Sequence, residues 1–286
     1  MFCVKININM VKKVITIVGG RGKMGERFSR WWNDYGYEVR ILEWNNWHHA
    51  HNLLMTIDAV VVAVPIRATE NVILQVGKLL QERTVLVDLT SIQSMPLETM
   101  MSTHAGPVVS LHPMFGPTIE QPLGHTISVS HGRKSDQYEW LLDSLRDIGF
   151  SCRDIDSNVH DRTMDFVQGL EHFITISLGI FLKKHGITIH NLLLLSTPIY
   201  RTKLNLLGRV FEQDGKLYQD IIAASGERLE TIEKFLCMSQ KLLEKMKSDE
   251  DSLTEEFKET ANWMGDFTKY ALVESDKILN MKSDIE

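Results

Sequence analysis

His112 stands in the segment Ser110-Leu111-His112-Pro113-Met114-Phe115-Gly116-Pro117, directly after the strand-like run at residues 107–110. A histidine at the carboxyl end of a strand in an open α/β sheet faces the crevice where ligands bind, and Pro113, Gly116 and Pro117 stiffen the turn that presents it. Imidazole exchanges a proton near neutral pH, so the chemistry on offer is general acid–base work. Ser91, in Asp88-Leu89-Thr90-Ser91, ends a neighbouring strand. Its hydroxyl suits either a hydrogen bond to a substrate hydroxyl or the N-cap of a helix around residues 95–101.

Those two residues need a sheet to hold them, and the sequence supplies one. Residues 14–18 form a β-branched run, followed by Gly19-Gly20-Arg21-Gly22-Lys23-Met24-Gly25 and a helical pattern through Trp32. Gly20, Gly22 and Gly25 fit the spacing of a dinucleotide fingerprint: the first permits the turn, the second admits a pyrophosphate, and the third lets helix pack on strand. The expected cofactor contacts are therefore Gly20, Arg21, Gly22, Lys23, Met24 and Gly25. A second strand at 37–42 ends at Glu43, eighteen residues past Gly25. A carboxylate there accepts from a ribose 2′-hydroxyl and repels a 2′-phosphate, which favours NAD over NADP.

The alternation continues with strands at 58–65 and 85–88 and a helix at 69–80. Continuous apolar runs of this kind suit a parallel sheet covered on both faces. Val64 and Pro65 end the third strand and are expected to close on the middle of the cofactor. A strand at 125–130, a helix at 135–149 and a strand at 151–155 complete the unit. The fold class is thus an α/β Rossmann-type domain with a mostly parallel sheet, residues 1–156, followed by an all-α dimerisation domain, residues 157–286.

In the helical half, residues 158–184 read as one long helix with too wide an apolar surface for a solvated position. Further helices are expected at 189–195, 198–211, 217–224, 226–248 and 254–279. A long helical domain of this kind commonly pairs with its copy, so the expected assembly is a homodimer with the active site at the domain junction. Gln168 and His172 lie one turn apart and share a face. Arg201 and Arg209 flank an apolar stretch, and arginine is suited to planar recognition of a carboxylate. His48, His49 and His51 lack a carboxylate or cysteine partner in sequence, so no metal site is expected.

Composition excludes several classes. The formal charge of −6, with 24% charged residues, leaves no basic footprint for nucleic acid. Three scattered cysteines, Cys3, Cys152 and Cys237, are in no metal-ligand spacing, fit a reducing compartment and are expected to be structural. No signal peptide or membrane span is read, so the expected location is cytoplasmic and the expected partners are small molecules and copies of the same chain. Met10 is an alternative start to Met1.

Several collinear motifs together carry a resemblance: residues 18–25, Asp88-Leu89-Thr90-Ser91, Leu111-His112-Pro113-Met114-Phe115-Gly116, and Ser196-Thr197-Pro198-Ile199-Tyr200-Arg201 followed by Gly208-Arg209. From about Val14 to Tyr270 the chain resembles the prephenate dehydrogenase family, in particular the dehydrogenase portion of the bifunctional chorismate mutase–prephenate dehydrogenases. The resemblance implies NAD-dependent oxidative decarboxylation of prephenate to 4-hydroxyphenylpyruvate in tyrosine biosynthesis. It implies that His112 polarises the ring hydroxyl, that Ser91 sits near that hydroxyl, that Arg209 holds a carboxylate, and that His172 lines the substrate pocket. Tyr218 matches a position that in relatives reaches the pocket from the other subunit, and Arg201 is assigned to structure or pocket electrostatics.

The alternatives are an arogenate dehydrogenase, which keeps the ring chemistry, and a catalytically idle NAD-binding or tyrosine-sensing dimer. Two departures from the family stand out. Bifunctional relatives carry a helical mutase before the glycine loop, so this chain, as it stands, is expected to lack mutase activity. Relatives commonly show lysine where this chain has Gln93, which is expected to alter the charge of the pocket. With no spare C-terminal region, any tyrosine inhibition is expected to act at or near the active site.

Overall fold

A computed structural model describes residues 12–248 and 252–280; Cys3 and Met10 lie outside the described residues. The chain divides into two compact units, residues 1–164 and 165–286. The first unit runs β1 (Val14–Val18), α1 (Lys23–Tyr35), β2 (Glu38–Leu42), α2 (Ala50–Leu54), β3 (Ala59–Val62), α3 (Ile66–Gly77) and β4 (Val85–Asp88). It continues with α4 (Ser94–Thr103), β5 (Val108–Pro113), β6 (Thr126–Arg133), α5 (Glu139–Ile148), β7 (Ser151–Asp154) and α6 (Ser157–Met164).

The strands form one sheet in the order β2-β1-β3-β4-β5-β6-β7. β1 to β5 are parallel, β6 pairs antiparallel with β5, and β7 runs parallel to β6. The mostly parallel sheet expected from sequence is the one found.

Both faces of the sheet are covered, which explains the unbroken apolar strands. On one face Ala59 and Val61 pack with Phe28, Trp31 and Trp32 of α1 and Leu141, Leu142 and Leu145 of α5. On the other, Val60 and Val62 pack with Leu54 of α2, Ile73 and Val76 of α3, and Met100 of α4. The indole N–H of buried Trp32 donates to Ser144 Oγ at 3.1 Å, tying α1 to α5 without leaving a buried donor unpaired.

His112 lies inside β5, not after it as the sequence suggested. Antiparallel pairing with β6 carries the strand on to Pro113, which faces Ile127, and Met114 N–H donates to the Thr126 carbonyl at 2.9 Å. Cys152 packs against the core, but Cys237 is exposed and has no such structural role.

The second unit opens with a π-helical segment, Asp165–Leu170, and continues as α7 (Glu171–Lys184), α8 (Ile189–Leu194), α9 (Pro198–Phe211), α10 (Gly215–Ile222), α11 (Gly226–Ser248), α12 (Ser252–Met264) and α13 (Phe267–Leu279). The helical run expected at 158–184 is therefore found, with a π-helical segment within it. Arg228 of α11 passes over Gly169, where a Cβ would stand 2.3 Å from the arginine Cγ, and its Nε donates to Asp165 Oδ1 at 3.2 Å. Its Nη1 also donates to the Ile221 carbonyl. The widened turn thus accommodates a fully buried cation and its counter-charge. The segment expected at 254–279 is two helices, separated where Gly265 takes a φ of +55°.

No residue of α7 is buried within the single chain, and Phe181 is exposed. Among the described residues nothing buries its apolar surface fully, and most of its residues are only partly covered. Among the described residues, no helix is long and apolar enough to cross a membrane.

The buried ion pair sets a test. Asp165→Ala leaves Arg228 uncompensated and is expected to lower the unfolding free energy by about 3–5 kcal/mol, whereas Asp165→Leu with Arg228→Met should recover most of that loss. Urea unfolding of the two variants measures both.

Candidate active site

The glycine loop is built by close approach. Gly19, not Gly20, is the residue in the left-handed region, at φ +81°, so the turn role expected of Gly20 belongs one position earlier. Gly20 is required for another reason: a Cβ there would stand 2.3 Å from Ile41 Cδ1. At Gly25 a Cβ would meet the Gly19 carbonyl oxygen at 2.5 Å, so glycine lets α1 rest on the loop. Gly22 is the N-cap of α1 and offers no side-chain cap, which leaves the backbone N–H groups of Lys23, Met24 and Gly25 as the donors at a positive helix end.

Glu43 reaches this loop. Its Oε1 accepts from the Arg21 N–H at 2.7 Å, and its own backbone N–H donates to Asn46 Oδ1 at 2.6 Å at the start of the short 3₁₀ turn Trp44–His49. The second oxygen lets one carboxylate brace the loop and still accept from a ribose hydroxyl. Val64 stands against Gly19, whose missing Cβ would lie 3.0 Å from Val64 Cγ1, and Pro65 is the N-cap of α3. The residues present therefore fit a dinucleotide: an uncapped helix end for its phosphates, a carboxylate for its ribose and an apolar strand end beside them.

His112 is 4% exposed and its Nδ1 lies 2.9 Å from Nε2 of His160, which is 1% exposed. His160 Nδ1 in turn donates to Asp161 Oδ1 at 2.8 Å. The same carboxylate accepts from the Gln93 N–H at 2.8 Å, from the Ser94 N–H at 2.9 Å and from the Ser94 hydroxyl. Burial pushes the Asp161 carboxyl up, but these bonds outweigh burial and hold it at about 2. An ionised aspartate thus caps α4 from a distant part of the chain and orients a histidine pair.

That cap removes one reading of Ser91, because the N-terminus of α4 is satisfied by Asp161. The Ser91 Oγ is buried without a hydrogen-bond partner among the described residues. Continuing the β4–β5 register two residues beyond Asp88 and Ser110 brings Thr90 level with His112. Ser91 follows at that same sheet edge. Gln93 is fully buried: its amide N–H₂ donates to the Ser110 and Ser128 carbonyls and to Ser128 Oγ, and its carbonyl accepts from Ser130 Oγ at 2.6 Å. It stitches β5 to β6 through neutral bonds.

The second unit gathers its own candidates. His172 and Tyr218 stack edge to face with centroids 4.9 Å apart, and Tyr218 is buried. Burial lowers the His172 imidazole, and the nearby Arg228 charge adds to that effect against Glu171. Burial raises the Tyr218 phenol, opposed by Arg209, so Arg209 lies within electrostatic reach of that ring. His172 and Tyr218 thus meet within one chain. Gln168 falls in the π-helical segment, so its spacing to His172 is not that of a regular helix turn. Arg201 donates from Nη2 to the Leu193 carbonyl at 3.1 Å and so ties α9 to the end of α8, a structural role.

His48 and His49 stack on each other with ring centroids 4.0 Å apart. Among the described residues, no cluster of three histidines, cysteines or acids is placed to hold a metal.

Sequence reasoning missed His160 and Asp161. Their one signal was an adjacent His-Asp pair on a polar face at the start of the helical half, with nothing in the spacing to connect it to His112.

Comparison with known proteins bears on both units. Residues 42–125 match the family description "Prephenate dehydrogenase, nucleotide-binding domain" and residues 156–259 match "Prephenate dehydrogenase, dimerization domain". The T-protein of Haemophilus influenzae is 37% identical over 273 residues, covering 95% of this chain and 72% of that protein. The T-protein of Enterobacter agglomerans is 36% identical over 271 residues, covering 94% and 72%. In fold, the chain is similar to the crystal structure of prephenate dehydrogenase from A. aeolicus in complex with hydroxyphenyl propionate and NAD+, with a TM-score of 0.66, 17% identity and coverage of 94% of this chain and 99% of that one.

One titration at the sheet edge is directly testable. Burial pushes Asp88 up to about 7, against the Ser110 hydroxyl and the Thr90 amide and hydroxyl, which pull it down. Between the ordinary carboxylate value and about pH 7 the folded chain keeps a proton that the unfolded chain releases, so this group makes stability fall as pH rises. Asp88→Asn is expected to remove up to about 1.4 kcal/mol per pH unit of that slope. Unfolding free energies at pH 4.5 to 7 (about four evenly spaced points), wild type against variant, give the difference.

Proposed function

This chain belongs to the prephenate dehydrogenase family, and on that premise we propose that it catalyses the NAD-dependent oxidative decarboxylation of prephenate to 4-hydroxyphenylpyruvate, the dehydrogenase step of tyrosine biosynthesis. Sequence likeness along nearly the whole chain carries this reading. The histidine at the end of β5 supplies the group that the reaction needs.

In this reading Lys23, Met24 and Gly25 present backbone N–H groups to the cofactor pyrophosphate, beside Gly20, Arg21 and Gly22. Glu43 accepts from the ribose, and Val64 and Pro65 lie along the cofactor's middle. When bound, NAD supplies the hydride acceptor. His112 takes hold of the ring hydroxyl proton as the C–H bond on the same carbon breaks. The ring carboxylate leaves as carbon dioxide, its bonding pair completes the aromatic ring, and the proton stays with the phenolic oxygen. Ser91 donates or accepts at the same hydroxyl.

Arg209 anchors a carboxylate that remains on the product, because tight ground-state binding of the departing one would work against the reaction. His172, Gln168 and Tyr218 line the substrate. The assembly is a cytoplasmic homodimer through the helical unit. The resemblance to the dehydrogenase portion of bifunctional enzymes belongs to this proposal, and chorismate consumption by the same preparation tests it.

The decisive assay follows reduced-nicotinamide absorbance with NAD and prephenate, with arogenate and NADP in parallel. A rise with NAD and prephenate supports the reading; a faster rise with arogenate replaces the substrate; no rise from folded protein that binds NAD overturns it. His112→Asn is expected to lower kcat by about 10² to 10⁴ with NAD affinity kept. Arg209→Gln is expected to raise the KM for prephenate by roughly 10- to 100-fold while kcat falls less, read from initial rates.

A further inference from the structure

His112 has two ring nitrogens, and only one of them can serve as the proton acceptor. Which one is settled by what the other nitrogen bonds. The bonds around Asp161 permit a derivation.

The Asp161 carboxylate already accepts from the Gln93 N–H, the Ser94 N–H and the Ser94 hydroxyl, so it is an acceptor on every side. The nitrogen facing it, His160 Nδ1 at 2.8 Å, must therefore carry a hydrogen. A neutral His160 then presents a lone pair at Nε2. The nitrogen 2.9 Å from that lone pair is His112 Nδ1, which must be the donor. The unprotonated nitrogen of His112 is Nε2.

We propose that His160 and Asp161 are positioning residues for the reaction: acting through His112 Nδ1, they hold His112 in its Nδ1–H tautomer so that Nε2 is the base. The proposal rests on the dehydrogenase reading for the reaction itself, but the tautomer rests on the hydrogen-bond geometry with a single ring proton on His160. His160 and His112 are both almost fully buried, so water is poorly placed to substitute for either partner. Gln93 and Ser94 hold the carboxylate by their backbone amides, which fixes the far end of the chain of bonds to the start of α4 rather than to a mobile side chain.

The same geometry selects the variants. Glutamine at 160 can place a carbonyl oxygen near the position of Nε2, and so still accept from His112. Asparagine is shorter, reaches only the position of Nδ1, and leaves His112 Nδ1 without its acceptor. Both changes remove the imidazole, so a merely packing role would make them similar.

The test is ¹⁵N NMR of the histidine rings in the full-length protein without substrate, near neutral pH, with the His112 signals identified by their loss in His112→Asn. The expected wild-type pattern is a protonated Nδ1 and an unprotonated Nε2 on His112. His160→Gln should keep that pattern, and His160→Asn should shift the proton to Nε2. In turnover, His160→Asn is expected to lose about 10² to 10⁴ in kcat, the scale of a wrong-tautomer histidine in a hydrolase triad, with NAD affinity unchanged. His160→Gln should stay within about tenfold of wild type.

A wild-type His112 protonated at Nε2, or a His160 carrying both ring protons, overturns the proposal. So does an unchanged His112 tautomer in His160→Asn, or equal loss of kcat in both variants. If His160→Asn fails to fold, the wild-type spectrum and the His160→Gln variant still decide. Because the spectra need no substrate, failure to turn over prephenate would leave the tautomer result intact and count only against the dehydrogenase reading.

Discussion

The Asp161 carboxylate is the contact on which the chemistry of the first unit depends. Burial opposes its charge, yet four donors from two separate stretches of chain converge on it and keep it ionised. It closes the N-terminus of α4, seats α6 against the sheet and orders the imidazoles that end at His112. An unpaired carboxylate in that position would cost several kcal/mol, so the site and the packing around it are held by the same bonds.

The second unit uses the same physics for a different end. Arg228 and Asp165 are buried together, and the missing side chain of Gly169 makes the room that the guanidinium stem occupies. Here the charge pair fixes backbone geometry, a π-helical turn, beside the His172–Tyr218 stack. Among the described residues the apolar surface of α7 is only partly covered, in keeping with the dimerization-domain match over residues 156–259.

Much of this was legible in the sequence, and the reasons are local. β-branched runs, a glycine loop and a 3.6-residue period each report on a few neighbouring residues, so the strands and α1 were readable. The place of Glu43 beside the loop was readable because its distance from the loop is set by one βαβ unit. His160 and Asp161 were not, because the bond to His112 spans 48 positions and depends on how β6 reverses, which no periodicity encodes. Gln93 looked like a change of pocket charge and proved to be a buried stitch between strands. Gly20 drew attention to itself by spacing, while the positive φ fell on Gly19, the residue that directly follows β1. The π-helical turn was invisible because the apolar pattern runs through it without a break.

The reversal of β6 has a consequence for how the molecule assembles. The nucleotide cradle is complete within β1 to β4, from contacts between elements that follow one another closely along the chain. The histidine pair joins β5 to α6 across 48 positions, with β6 and β7 in between, a loop closure of longer range and therefore of greater entropic cost. Capacity to hold a nucleotide and capacity to move a proton thus rest on contacts of different range along the chain, and the second carries the greater closure entropy.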